Sequence, residues 1–199
     1  MEEHKYKGAL TREQFLFKEM RITAIVLSEI EDDDAVFQKI VEENLYQYPT
    51  EKTIKSIAKA CIRRLRLLSD KLIDIVANGS VYDAKQICLY AIMKDNKLVW
   101  DFMIDLIGEK YRTQDFHFST KDMNVFFSNL QEQNEVVDSW ADSTINRIKN
   151  VLKNILIENE YLDDKKSEEL NQVLLGLDLE TEIKNNHDEK ALIAFNYFG

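Results

Sequence analysis

The stretch whose reading decides the fold is PTEKTIKSIAKACIRRLRLLSD, from Pro49 to Asp70. Ile54, Ile57, Ala58, Cys61, Ile62, Leu65 and Leu68 recur at the steps that place apolar side chains on one side of an α-helix. Pro49 disfavours helical geometry at Tyr48, and the Thr50 hydroxyl stands where it can accept from the first unbonded backbone N–H groups, so the helix is expected to start there. On the other side Lys52, Lys55, Lys59, Arg63 and Arg66 follow one another by three, four, four and three residues and share a single outward stripe.

The rest of the chain carries the same punctuation. One proline and five glycines among 199 residues, 45% of them hydrophobic, argue for long helices joined by short polar turns and against sandwiches and barrels. Thr11 with Gln14 reads as a capping box for a helix bearing Phe15, Met20, Ile22, Ile25 and Val26. Asp33 or Asp34 caps a short helix through Val36, Phe37, Ile40 and Val41. Further helices are expected from Asp70 to a stop at Asn78-Gly79, from Ser80 to Asp95-Asn96, and from Leu98 to Gly108.

Residues 1–112 are read as an N-terminal helical bundle and 113–199 as a C-terminal helical, winged-helix-like subdomain. In the latter, Ser119-Thr-Lys-Asp122 forms a capping box, a short element spans Val136 to Trp140, and Asp142 or Ser143 caps a long helix with Ile145, Ile148, Val151, Leu152, Ile155 and Leu156. Gln172-Val-Leu-Leu-Gly176 then reads as a strand, with at most a small β element near 172–183. Helix, short helix, longer helix and strand pair is the order of a winged helix-turn-helix, although three-helix units of any purpose share it. A last helix from Asp188 brings Leu192, Ile193 and Phe195 to the core, and Trp100 and Trp140, with apolar company at helical spacing, read as core as well. The fold class is all-α.

Charge supplies the functional lead. The chain carries a formal −10. Between Pro49 and Leu72, seven cations (Lys52, Lys55, Lys59, Arg63, Arg64, Arg66 and Lys71) meet only Glu51 and Asp70, which leaves this segment at about +5 and the remainder at about −15. With so few acids, no i,i+4 ion pair is expected to neutralise the stripe. A cationic ridge on an anionic body is suited to a phosphate backbone, and a solvated lysine-rich face is the alternative reading. Arginine's planar fork matches phosphate oxygens, so the end from Arg63 to Arg66 is expected to matter more than Lys52. Two weaker cationic sets are Arg147, Lys149 and Lys153 on the long C-terminal helix, and Lys110 and Arg112 around Tyr111. The acidic run from Glu29 to Asp34 is the feature that would cut the stripe off.

Catalytic and metal motifs are absent: there is no Gly-rich phosphate loop, GxSxG or HExxH, and His4, His117 and His187 stand singly. Cys61 and Cys88 lie in helical patterns and read as buried thiols. No catalytic residue, metal ligand or cofactor is therefore expected. The longest apolar run, about Ile87 to Met93, is far below the roughly 20 residues of a membrane span, and the N-terminus has no apolar signal region; the chain reads as a soluble cytoplasmic protein with no membrane partner.

Tyr6-Lys-Gly-Ala-Leu10 and Phe15-Leu-Phe-Lys-Glu-Met-Arg21 resemble the opening of the BrxA family of bacterial bacteriophage-exclusion (BREX) defence systems. The likeness continues through Glu43-Asn-Leu-Tyr-Gln-Tyr-Pro-Thr50, Arg63-Arg-Leu65, Gly108-Glu-Lys-Tyr-Arg112 and Trp140-Ala-Asp-Ser-Thr144. The resemblance implies a non-enzymatic, all-helical protein similar in fold to the NusB antitermination factors. It further implies double-stranded DNA as a partner, together with other BREX components such as the methyltransferase; RNA is the lesser alternative, and an acidic protein partner for the basic helix is the main rival. It supplies no motif that assigns binding residues, so those named above rest on charge placement.

Overall fold

The computed structural model describes Tyr6 and residues Gly8 to Phe198, and among them every regular element is helical. The all-α expectation holds. Backbone packing gathers Phe15–Asp95 into one compact unit and Met1–Gln14 with Asn96–Gly199 into another.

The first unit contains α1 (Phe17–Glu29), α2 (Asp33–Glu42), α3 (Glu51–Leu65), α4 (Asp70–Asn78) and α5 (Val81–Asp95). α1 packs on α3 and α4, α2 on α3, and α5 on α3 and α4. The apolar side of α3 read from sequence is the side that is buried: Ile54, Ile57, Ala58, Cys61, Ile62 and Leu65 all lie in the core, with Met20, Ile40, Leu72 and Leu89 from the other helices. Thr50 caps α3 as expected, accepting from the Thr53 N–H at 3.4 Å, and α4 stops at Asn78 before Gly79. Cys61 and Cys88 are buried free thiols, and burial pushes the Cys61 thiol up to about 12.

Two starts differ from the sequence reading. Thr11 does not open a helix; its hydroxyl donates back to the Gly8 carbonyl at 3.1 Å and ends a 3-10 turn, Gly8–Thr11. Leu16, at φ 57° in the left-handed region, is the N-cap of α1, so helical geometry begins only at Phe17. The cap of α2 is Asp32 rather than Asp33 or Asp34, its carboxylate accepting from the Ala35 N–H at 3.1 Å.

In the second unit α6 (Lys97–Asp101) runs without a break into a π-helical segment, Phe102–Gly108, and then α7 (Glu109–Arg112). After them come α8 (Thr120–Gln133), α9 (Glu135–Asp138), α10 (Asp142–Glu158), α11 (Leu177–Asn185) and a 3-10 segment, Glu189–Phe195. The Ser119/Asp122 capping box is present, whereas Ala141 precedes α10 without a side-chain cap. Helix, short helix and longer helix therefore occur in the expected order, but the strand does not. Residues 172–176 form no ladder, Leu174 is 79% exposed, and 177–185 is helix. The single β-bridge among the described residues joins His117 to Glu169, so 172–176 has no neighbouring strand there to satisfy it. Trp100 and Trp140 are half-buried rather than core. The chain's last expected helix is the 3-10 segment, with Leu192 and Phe195 buried.

Gly108 shows why this unit closes as it does. A Cβ at this position would lie 2.7 Å from Ile193 Cγ1 and 3.3 Å from the Ile193 carbonyl carbon, so only glycine lets the 3-10 segment approach the π-helical one. Overpacking costs about 1–3 kcal/mol, and the better helix propensity of alanine returns about 0.5–1. Gly108→Ala is expected to lower unfolding stability by about 1 kcal/mol and Gly108→Val by more, as read by chemical denaturation; an unchanged midpoint for Gly108→Val would contradict this packing.

Candidate nucleic-acid interface

The outward face of α3 divides into two halves of different character. Lys52, Lys55 and Lys59 are exposed. Lys55 meets Glu51 at 2.5 Å, which corrects the expectation that no i,i+4 pair touches the stripe. The pair has the favourable order, acid N-terminal to base, yet both partners are exposed, so it is worth only a few tenths of a kcal/mol and does not tie the lysine down. Lys59 Nζ sits 5.7 Å from the centre of the Phe37 ring.

The arginine half is committed to carboxylates and carbonyls. Arg63 makes two parallel hydrogen bonds to Asp95, Nε to Oδ1 at 2.7 Å and Nη2 to Oδ2 at 2.9 Å. Arg64 lies off the stripe and inside the unit, 1% exposed, with Nε 3.4 Å from Asp95 Oδ2. Arg66 donates through Nε to Asp33 Oδ1 at 2.7 Å and through Nη2 to the Glu31 carbonyl at 2.7 Å. The acidic run leading into α2 thus does reach the stripe, at its arginine end. These partners stand more than 30 residues away in the chain, so helical spacing alone gave no sign of them.

The other cations are distributed differently. Lys110 is buried, and its ammonium bridges Asp115 at 2.9 Å, Asp122 at 3.2 Å and the His117 carbonyl at 2.5 Å; it ties the turn after α7 to the start of α8. Arg112 is exposed and folds onto Glu109 at 2.6 Å and 2.8 Å. On α10, Arg147 is exposed, whereas Lys149 and Lys153 are half-buried. Lys149 Nζ donates to Asn124 Oδ1 at 2.8 Å and lies 5.3 Å from the Phe127 ring centre. The structure gathers Lys149 and Lys153 beside Asn146, Asn150 and Asn124, which the sequence reading missed. The spacing of 146, 149, 150 and 153 on one helix face was the available signal.

Among the described residues no group of three or more histidine, cysteine, aspartate or glutamate side chains is placed to hold a metal ion, and no helix is long and apolar enough to cross a membrane.

The chain matches the family model described as BrxA over residues 4–187. It is 35% identical over 185 residues to a BREX protein BrxA from Bacillus cereus (strain H3081.97), covering 92% of each chain. It is 26% identical over 168 residues to a BREX protein BrxA from Escherichia coli O9:H4 (strain HS), covering 84% of this chain and 79% of that one. The fold is similar, with a TM-score of 0.82 and 22% identity over 96% of this chain and 97% of the other, to a crystal structure of an uncharacterized protein from Magnetospirillum magneticum.

Asp95 gives the C-terminal end of α3 an acid sensitivity. Burial pushes its carboxyl up, but hydrogen bonds from Arg63, and the charges of Arg63 and Arg64, outweigh burial and hold it below the ordinary carboxylate range. A group depressed on folding stabilises fully above its unfolded value, about 3.9, and loses that contribution as pH falls towards and through the folded value. Asp95→Ala is therefore expected to cost about 3 kcal/mol at neutral pH, because it strips a carboxylate from buried Arg64. It should also flatten the fall in stability below about pH 4. Urea denaturation of both proteins between pH 7 and pH 3 reads this; a constant difference across that range would show that Asp95 is not the group responsible.

Proposed function

The chain belongs to the BrxA family, and from that premise we propose that it is a non-enzymatic accessory component of a BREX phage-defence system that contacts double-stranded DNA along the phosphate backbone through α3. The observation that carries the reading is the exposed row of Lys52, Lys55 and Lys59, spread over about 10 Å of helix, on a chain whose formal charge is −10. Arg63, Arg64 and Arg66, occupied by Asp95, Asp33 and Glu31, serve to position the helix rather than to meet phosphate. The weight of the contact therefore falls on the lysine half. Arg147, exposed on α10, is a second phosphate contact in this reading, with the three helices α8, α9 and α10 standing in for a winged unit without its wing. Arg112 contributes least, being folded onto Glu109. The work is done in the cytoplasm, beside other BREX components such as the methyltransferase.

A second reading is favoured by the overall charge. A body at −10 repels DNA at long range, so the same lysine row would suit an acidic surface on another protein of the defence complex. Co-purification with neighbouring BREX proteins after nuclease treatment, lost on reversal of the lysines, supports this reading over the first. Displacement of bound duplex by equimolar structured RNA would favour an RNA partner instead.

Each neutralised phosphate releases counterions, so three lysines should contribute a slope of about −3 to a plot of log affinity against log salt. Fluorescence anisotropy of a labelled duplex, titrated at several salt concentrations, measures it. Lys52→Glu, Lys55→Glu and Lys59→Glu together should weaken binding at least tenfold and flatten the slope by about 3. Arg66→Gln, already held by Asp33, should change affinity less than twofold. Unchanged duplex binding in the folded triple variant would overturn the proposed contact.

A further inference from the structure

In the second unit, the start of α8 and the middle of α10 line a cleft of about 270 Å³. Asn146, Lys149, Asn150 and Lys153 come from α10 at positions i, i+3, i+4 and i+7, a contiguous helix face. The adjoining face of α10, with Ile145, Ile148 and Leu152, is buried in the core. This polar face packs on the core only where Lys149 lies over the Phe127 ring, and the rest of it lines the cavity, an arrangement suited to something that enters it.

The chemistry of the lining narrows what enters. Lys149 and Lys153 stand four residues apart, with Cβ atoms about 5–6 Å from each other, close enough for both ammonium groups to bind one phosphate. Lys149 is half-buried, and the acceptor its Nζ holds, Asn124 Oδ1 at 2.8 Å, is neutral. Among the described residues lining the cleft there is no carboxylate. Asp142 and Asp164 are near enough for their charges to couple with Lys149 and Lys153 respectively, and Asp122 is engaged by Ser119 and Lys110. Asn146 and Asn150 each carry a carboxamide, a planar donor and acceptor side by side, which is the complement of a nucleobase edge, and Asn124, whose oxygen accepts from Lys149, adds its amide donor. Phe118 and Met123, both buried, form the apolar part of the lining. The volume lies just below the range of small-molecule sites and suits one nucleotide rather than a longer ligand.

We propose that this cleft binds one phosphorylated nucleoside, with its phosphate between Lys149 and Lys153 and its base edge against the carboxamides of Asn124, Asn146 and Asn150. The nucleotide is either free or a unit of a nucleic-acid strand, because both present the same phosphate and base. The proposed site is built without any residue of α3, so it does not rest on the reading of the α3 lysine row.

The full-length chain is titrated with adenosine monophosphate, and in parallel with a short single-stranded oligonucleotide and a duplex, following backbone amide resonances. Asn150→Asp places a carboxylate beside the lysines at an exposed position that the fold does not need, and Lys153→Gln removes one cation. Binding of the mononucleotide, with shifts clustered at 118–124 and 146–153 and at least a tenfold loss in Asn150→Asp, establishes the site for a free nucleotide. No mononucleotide binding, but a tenfold loss of strand or duplex affinity in Asn150→Asp and Lys153→Gln, places a unit of nucleic acid there. Loss of duplex affinity in the α3 lysine variants alone, with both cleft variants unchanged for every probe, overturns the proposal while leaving the α3 contact standing. Failure of all three probes to perturb 118–124 and 146–153 overturns it as well.

Discussion

The carboxylate of Asp95, gripped by Arg63 and approached by Arg64, is the interaction on which the basic helix depends. A guanidinium that is 1% exposed needs a charged partner, since an uncompensated buried cation costs several kcal/mol. Asp95, at the end of α5, supplies it, and in doing so fixes α3 to α5 at the last turn of each. Arg66 is fastened in the same way to Asp33 and to the Glu31 carbonyl before α2. The outcome is a division of labour along one helix. Its C-terminal cations hold the unit together, and its N-terminal cations, beyond the reach of those acids, are left facing outward.

That division also sets the range over which the proposed DNA contact works. With −10 on the chain, attraction to a polyanion is confined to distances within a Debye length, about 8 Å at physiological salt. Lys52, Lys55 and Lys59 then act as a local docking surface rather than as a source of long-range steering. Such a surface suits a subunit brought to DNA within a larger assembly, in keeping with membership of a family whose relatives carry the BREX name.

What could be read from the sequence was governed by local rules. The apolar side of α3, its Thr50 cap, the stop at Asn78-Gly79 and the Ser119/Asp122 capping box all depend on residues within four positions of one another. Of the features not legible, some turn on a local backbone conformation and others on a distant partner. Thr11 has the chemistry of a cap but is turned back on Gly8, and the left-handed Leu16 delays the helix. Val173 and Leu174 have the composition of a strand but no neighbouring strand among the described residues to pair with. The arginines looked like the strongest phosphate ligands because their partners, Asp95 and Asp33, are more than 30 residues away. The α10 cleft was half legible: its lysines stand out in the sequence as charge, while the asparagines that share their face carry none.

The claim at the centre is that the lysine half of α3, and not its arginine half, faces the ligand. Lysine acetylation footprinting, with and without duplex DNA at low salt and read by mass spectrometry, tests it most directly. The expected result is protection of Lys52, Lys55 and Lys59 on adding duplex, reversed by raising the salt, with Lys39, paired to Glu29, unchanged. Equal modification of those three lysines in the presence and absence of saturating duplex would contradict it.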